Sequence, residues 1–462
     1  MPLNHLLLNT KIKMHLSNGF FLFLNTVHLF IASTLTISPK DEGLVRFHFS
    51  WLVQFQWQRL LIAFILLLIQ VIITYLVLWW RFRQAKLIQI TEFGLVGENH
   101  FLIKNSLRLD PKDIYKMVID LAREFKLKSI KRVYLSNTNI PNALTIDVVP
   151  LPFLRSSWIV LDANIIEILD KKEIKAIIAH ELAHIKKLDS IVNIYRFGIN
   201  YFVFVAYSLQ LLQMIYIIIA DAPEVWNIVL RIALLLLLIL AMWFLTIINR
   251  WLMNFSRQQA ELLADYTAGK FIGRNTIINA LIILGQRIDV VVAFGAEFKW
   301  LGKREGKSNV TREFLQGIRD LPPQELSKEF SRQKALYIYV VQRLKNLRDA
   351  LLLPLSDSKI DTFAQKACEE LMKLREKELK RLLTNDNHLA EKLSQQITNW
   401  AVMGTNSDQF LNDEEIEQLV AAIKNNPDKE LFEADFQVQQ ELLPVDHPTI
   451  RSRILFLFDT LK

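Results

Sequence analysis

The 462-residue sequence holds a single cysteine, Cys368. One cysteine cannot close an intrachain disulfide, and it cannot supply a thiolate-based zinc site. The chain shows no internal repeat and no low-complexity tract, so a repeat architecture is not expected. No nucleic-acid-binding motif accompanies its net charge of +8, and no nucleic-acid partner is expected. The basic excess is assigned instead to the flanks of membrane helices.

What the chain has in quantity is apolar residues, 52%, beside 22% charged ones. The two kinds are segregated into long apolar runs and strongly charged stretches, as in a multi-pass membrane protein with soluble parts. Four runs approach the roughly 20 residues that span a hydrocarbon core. They cover about Phe20 to Ile37, Leu60 to Trp80, Phe197 to Ala220 and Trp226 to Ile248. The first follows Lys11 and Lys13 and resembles a signal peptide, but no small-x-small cleavage site follows, so it is read as a retained anchor. Arg81, Arg83 and Lys86 follow the second run, Lys186 and Lys187 precede the third, and Arg250 follows the fourth. The turn between the third and fourth has Asp221 and Glu224 but no Lys or Arg. These flanks place residues 85–195 and everything after 250 on the cytoplasmic side, in a multi-pass protein of the cell membrane.

The chemistry is concentrated in His180-Glu181-Leu182-Ala183-His184. On a helix, positions i and i+4 share a face about 6 Å apart, so two imidazoles can hold one metal ion. The glutamate after the first histidine is placed to deprotonate a water at that metal. Ile174, Ile178 and Ile185 mark an apolar stripe that includes Glu181. An ionisable carboxylate on such a stripe needs a partner, which a catalytic metal site provides. A third protein ligand is required, with one position left open. Glu261 is the candidate, because the membrane hairpin returns the chain to the face from which the first helix began. Asp265, one helical turn further on, is expected to orient a ligating imidazole through its other nitrogen.

The order of motifs resembles the membrane-bound zinc proteases of the HtpX type, kin of the CAAX-prenyl proteases. The resemblance covers about residues 85–285 and a short C-terminal piece. It runs through Pro141-Asn142-Ala143-Leu144, Trp158 to Leu161, Ile165 to Asp170 with Glu173, the HExxH pentapeptide, the membrane hairpin, Glu261 with Ala264 and Asp265, and finally His447-Pro448 with Arg453-Ile454. One departure stands out: Ser256-Arg257 lies one residue further from Glu261 than the usual Ser-Arg pair, which puts a role for Arg257 in doubt.

The resemblance implies an α+β zincin-like metalloprotease domain with four transmembrane helices and a mostly helical C-terminal soluble region. It implies one Zn2+ per chain, held by His180, His184 and Glu261, with Glu181 as general base. It implies an edge strand near Trp158–Leu161 that pairs with an extended substrate. Asn142 is expected to contact the substrate backbone, His447 to help stabilise the oxyanion, and Arg453 to brace Asp265. Expected partners are polypeptide substrates, among them membrane or misfolded proteins, and the lipid bilayer.

The expected organisation is a membrane anchor over 1–84, the first part of the protease domain over 85–195, and a transmembrane hairpin over 196–250. The second part of the protease domain covers 251–299, a charged helical insert 300–440, and the C-terminal motif 441–462. Two other functions fit less well. Prenyl-peptide processing in a closed chamber needs about seven spans where four are counted. A membrane adaptor with a structural metal would have no use for Glu181.

Overall fold

The computed structural model describes residues 5–34, 87–96, 109–128, 130–136, 143–147, 156–162, 169–189, 225–285, 354–385, 411–426 and 447–461, with scattered positions between. The chain forms two compact units. The first comprises Met1–Ala85, Ile146–Ser157 and His184–Leu263, and the second Lys86–Thr145, Trp158–Ala183 and Ala264–Lys462.

The elements, in chain order, begin with α1 (His5–Thr34), β1 (Leu87–Thr91) and β2 (Gly94–Val96). Then come α2 (Pro111–Glu124), β3 (Ile130–Ser136), β4 (Ala143–Asp147), β5 (Ser157–Asp162) and α3 (Lys171–Lys187). The order of strands in the sheet is β2-β1-β3-β5-β4. β1 and β2 form an antiparallel hairpin in which Gly94, at φ 111, takes a conformation open mainly to glycine. β1 also pairs antiparallel with β3, from Leu87 opposite Ser136 to Ile90 opposite Val133.

α2 is set by its ends and by one face. The Asp110 side chain accepts from the Lys112 amide, and Pro111 occupies the first turn, where its missing N–H is not needed. Ile114, Met117, Val118, Leu121 and Ala122 are buried at helical spacing, and α2 packs on β1, β2 and β3.

The structure corrects one expectation about the sheet. β5, which holds Trp158–Leu161, lies between β3 and β4 and is not an edge. From Ile159 to Asp162 every residue is buried, as in a strand covered on both faces. The edge beside it is β4, where Leu144 is exposed.

α3 carries the pentapeptide. Asp170 and Glu173 start it as a capping pair: Asp170 accepts from the Lys172 and Glu173 amides, and Glu173 accepts from the Asp170 amide. Thereafter the helix is buried on nearly every side. From Glu173 to Ile185 only Lys175 and His184 retain partial exposure, so the expected stripe is in fact a fully enclosed helix.

α4 (Val225–Ile272) is 48 residues long, with Val225–Leu263 in the first unit and Ala264–Ile272 in the second. Its stretch from Leu235 onward is, among the described residues, the one helix long and apolar enough to cross a membrane. Only 18% of its apolar window is buried. The expected fourth span, Trp226–Ile248, lies within α4; it holds one charged residue, Arg231, near its start, and the next is Arg250. The expected first span falls on α1, which starts well before Lys11 and packs through Phe21 against Ile199, Leu252 and Met253. Asn25 and Asn249 exchange hydrogen bonds of 2.9 Å, Asn249 donates to Asn200, and Ser17 donates to the Leu252 carbonyl. Such interhelical polar bonds suit helices in a medium where apolar contact alone gives little preference. The expected second and third spans lie largely outside the described residues.

In the second unit, α5 (Arg274–Gly285) follows α4 after a break at Gly273, whose φ is 103. Further helices of this unit are α6 (Asp357–Asn385), α7 (Asp413–Asn425) and α8 (Ile450–Thr460). Asn279 clamps the start of α7 by donating to the Leu411 carbonyl and accepting from its amide. α8 lies against the far end of α4, where a Cβ on Gly269 would stand 2.5 Å from Leu461 Cδ1 and 3.4 Å from Leu457 Cδ2. The absent side chain is what admits α8 at this distance.

Candidate metal centre

α3 presents His180, Glu181 and His184, and α4 presents Glu261 and Asp265. The ligand atoms of His180, His184 and Glu261 lie within 4.8 Å of one another, the one such group among the described residues. His184 Nε2 is 3.4 Å from Glu261 Oε1. Two imidazole nitrogens and one carboxylate oxygen are the donors that a catalytic zinc ion takes from a protein, and three of them leave a fourth position open. The donor set therefore fits such an ion. Glu181 is 8% exposed and His180 7%, so the group sits where water is scarce and charge interactions are strong.

Each histidine has one ring nitrogen engaged away from the metal position. His180 Nδ1 lies 2.8 Å from Asp265 Oδ1. Asp265 in turn accepts two bonds of 2.7 Å from Arg453 Nε and Nη2, a bidentate pair. Burial by itself would raise the Asp265 pKa. The Arg453 charge with its hydrogen bonds, and then His180, outweigh that and hold it at about 2. The register follows from packing: Gly269 and Leu457, which meet where α8 docks, are each one helical turn beyond Asp265 and Arg453.

His184 Nδ1 lies 2.8 Å from Asp189 Oδ2. Asp189 was missed by sequence reasoning. α3 stops at Lys187, and Leu188 takes φ 65, the left-handed conformation that ends helices. That turn brings a residue five positions on back beside the histidine. The available signal was the spacing itself, a carboxylate shortly after the HExxH pentapeptide, but spacing alone does not announce a left-handed leucine.

Other expected residues are placed as follows. Asn142 lies outside the described residues. His447 is exposed, three residues ahead of α8, and does not join the ligand group. Ser256 is buried and accepts from Arg196 Nη2 at 2.5 Å while donating to Asn18 Oδ1 at 2.7 Å.

Residues 109–300 match peptidase family M48. The chain is 34% identical over 103 residues to a protein named "Protease HtpX homolog" from Helicobacter pylori (strain J99 / ATCC 700824), covering 21% of this chain and 30% of that protein. A protein of the same name from Persephonella marina is 32% identical over 80 residues, 17% of this chain and 26% of that one. Another, from Helicobacter acinonychis, is 34% identical over 103 residues, with shares of 21% and 30%. The chain thus spans at most about 30% of the length of these curated relatives. No solved structure matches.

Proposed function

We propose, from the premise that residues 109–300 are a domain of peptidase family M48 akin to the HtpX proteases, that the chain is a zinc-dependent endopeptidase held at a membrane. The supporting observation is the convergence of His180, His184 and Glu261 with a buried glutamate, Glu181, between the two histidines in sequence.

His180, His184 and Glu261 would hold the ion. When bound there, zinc supplies Lewis acidity, which polarises a peptide carbonyl and makes a water easier to deprotonate. Glu181 accepts the proton of the attacking water and delivers it to the departing amine. Its burial supports this role, since a carboxylate short of solvent holds a proton more readily than an exposed one. Asp265 and Asp189 fix the ring orientation of the two histidines and leave Nε2 of each for the metal. β4, as the edge of the sheet, is the strand to which an extended substrate would add, with Asn142 just ahead of it. The exposed apolar surface of α4 supports insertion in a bilayer, and the basic flanks support a cytoplasmic site acting on membrane or misfolded proteins.

The test compares wild type with Glu181→Ala, purified in detergent without metal and then given zinc. Both should bind about one zinc ion, while self-cleavage and cleavage of an unfolded membrane protein should fall by about 10²–10⁴ in the variant. Equal cutting by the two proteins would remove Glu181 from the mechanism, and no cutting by either with zinc bound would end the peptidase assignment.

A further inference from the structure

We infer that Asp189 is a positioning residue for the ligand His184, and that a relay of Arg196, Ser256 and Asn18 ties this support to the N-terminal helix α1. This inference rests on the metal-site reading above and adds to it a residue and a connection.

The His184 ring has two nitrogens, and only one can face a metal. Nε2 is the one directed towards Glu261, at 3.4 Å, while Nδ1 meets Asp189 Oδ2 at 2.8 Å. A carboxylate on Nδ1 requires the proton there, so it leaves a lone pair on Nε2 and prevents the ring from turning over. Asp189 reaches this place only because Leu188 adopts φ 65. A bulky residue in the left-handed region is strained, and such strain persists where surrounding structure enforces it. The left-handed turn at Leu188 sets this carboxylate beside the ligand.

The neighbourhood of Asp189 is also secured. Arg196 is 5% exposed, and a buried guanidinium needs an opposite charge. Burial lowers the Arg196 pKa to about 10, the Asp189 charge opposes that fall, and Arg257 adds to it. Arg196 donates to Ser256 Oγ at 2.5 Å, and the Ser256 hydroxyl donates onward to Asn18 Oδ1 at 2.7 Å. Ser256 is 1% exposed and lies five residues ahead of Glu261 on α4. The relay therefore ties α1 and the segment that follows Asp189 to the helical turn leading to Glu261. α1 is thereby a part of the metal-site scaffold and more than an anchor.

The experiment uses the full chain in detergent and reads zinc affinity by competition with a chromophoric chelator, with the visible spectrum of the cobalt-substituted protein as a second readout. Asp189→Ala should weaken zinc binding about 10–100-fold and alter the cobalt spectrum. Asp189→Asn, whose amide oxygen can still accept from Nδ1, should lose less. Asn18→Leu should shift both readouts in the same direction by a smaller factor. Thermal unfolding of the metal-free proteins checks folding, and if Asp189→Ala does not fold, the near-isosteric Asp189→Asn carries the test. Wild-type zinc affinity and spectrum in a folded Asp189 variant would overturn the positioning role, and the same result in Asn18→Leu would overturn the relay. Failure of the wild-type chain to bind zinc would instead remove the metal-site reading, a distinguishable outcome.

Discussion

The two histidines of α3 each rest against a carboxylate that has an arginine for company, yet the supports are built by opposite means. His180 is served by Asp265 and Arg453, which lie 85 and 273 positions away in the chain and meet only through tertiary packing. His184 is served by Asp189, five positions away, through a single strained turn. The first support is deep, with the Asp265 side chain 1% exposed, and the second is shallower, with that of Asp189 at 16%. A site assembled from one local and one distant support has two separate ways to fail, and the difference can be probed.

The largest expected effect is on the distant support. Arg453→Leu leaves the buried Asp265 carboxylate without its cation, which should destabilise the fold by about 3–5 kcal/mol, as read by denaturant unfolding. A loss under about 1 kcal/mol would mean that the bidentate pair contributes no more than a surface ion pair. Zinc affinity should fall as well, because His180 loses its fixed partner.

The local support should respond to backbone chemistry instead. Leu188→Gly removes the left-handed penalty, worth about 1–2 kcal/mol, against an added chain-entropy cost of about 0.5–1 kcal/mol. Stability should therefore stay within about 1 kcal/mol of wild type and zinc binding should persist. Leu188→Val, β-branched at the same φ, should weaken both. If Gly and Val behave alike, the left-handed turn is not what holds Asp189.

A third effect is on acid stability. The Asp265 pKa lies at about 2, below the ordinary 3.8, so its folded-state contribution is complete above the ordinary value and is lost as pH falls through about 2. Metal-free wild type should thus lose stability across that window more steeply than Asp265→Asn. Parallel pH profiles for the two proteins would show that the depressed pKa contributes nothing to folding.

Much of this was legible in the sequence, for a physical reason. His180, Glu181 and His184 are read from helical spacing alone, and Glu261 with Asp265 from the same period applied after a hairpin. The expectation that β5 is an edge came from the family resemblance, which does not fix a strand's place in this sheet. The β1–β2 hairpin was missed, being two short strands beside a charged juncture. Asp189 was missed because its position depends on one backbone dihedral that the leucine side chain does not signal. The depth of α3 was underestimated, since periodicity reports the face a helix hides first and not what later covers the rest.

α4 is also a measuring rod. On the proposed membrane reading, Glu261 stands thirteen residues past Ile248, about 20 Å along a continuous helix. Every residue added or removed between them would advance the metal ligand by about 1.5 Å and turn it by about 100° about the axis. Height above the bilayer and the direction in which Glu261 points are therefore locked together. To keep Glu261 facing nearly the same way, this stalk could lengthen in two-turn steps of about seven residues, each lifting Glu261 by about 10 Å. On the proposed function, the distance from the lipid at which a substrate is cut would be a stepwise property of this one helix.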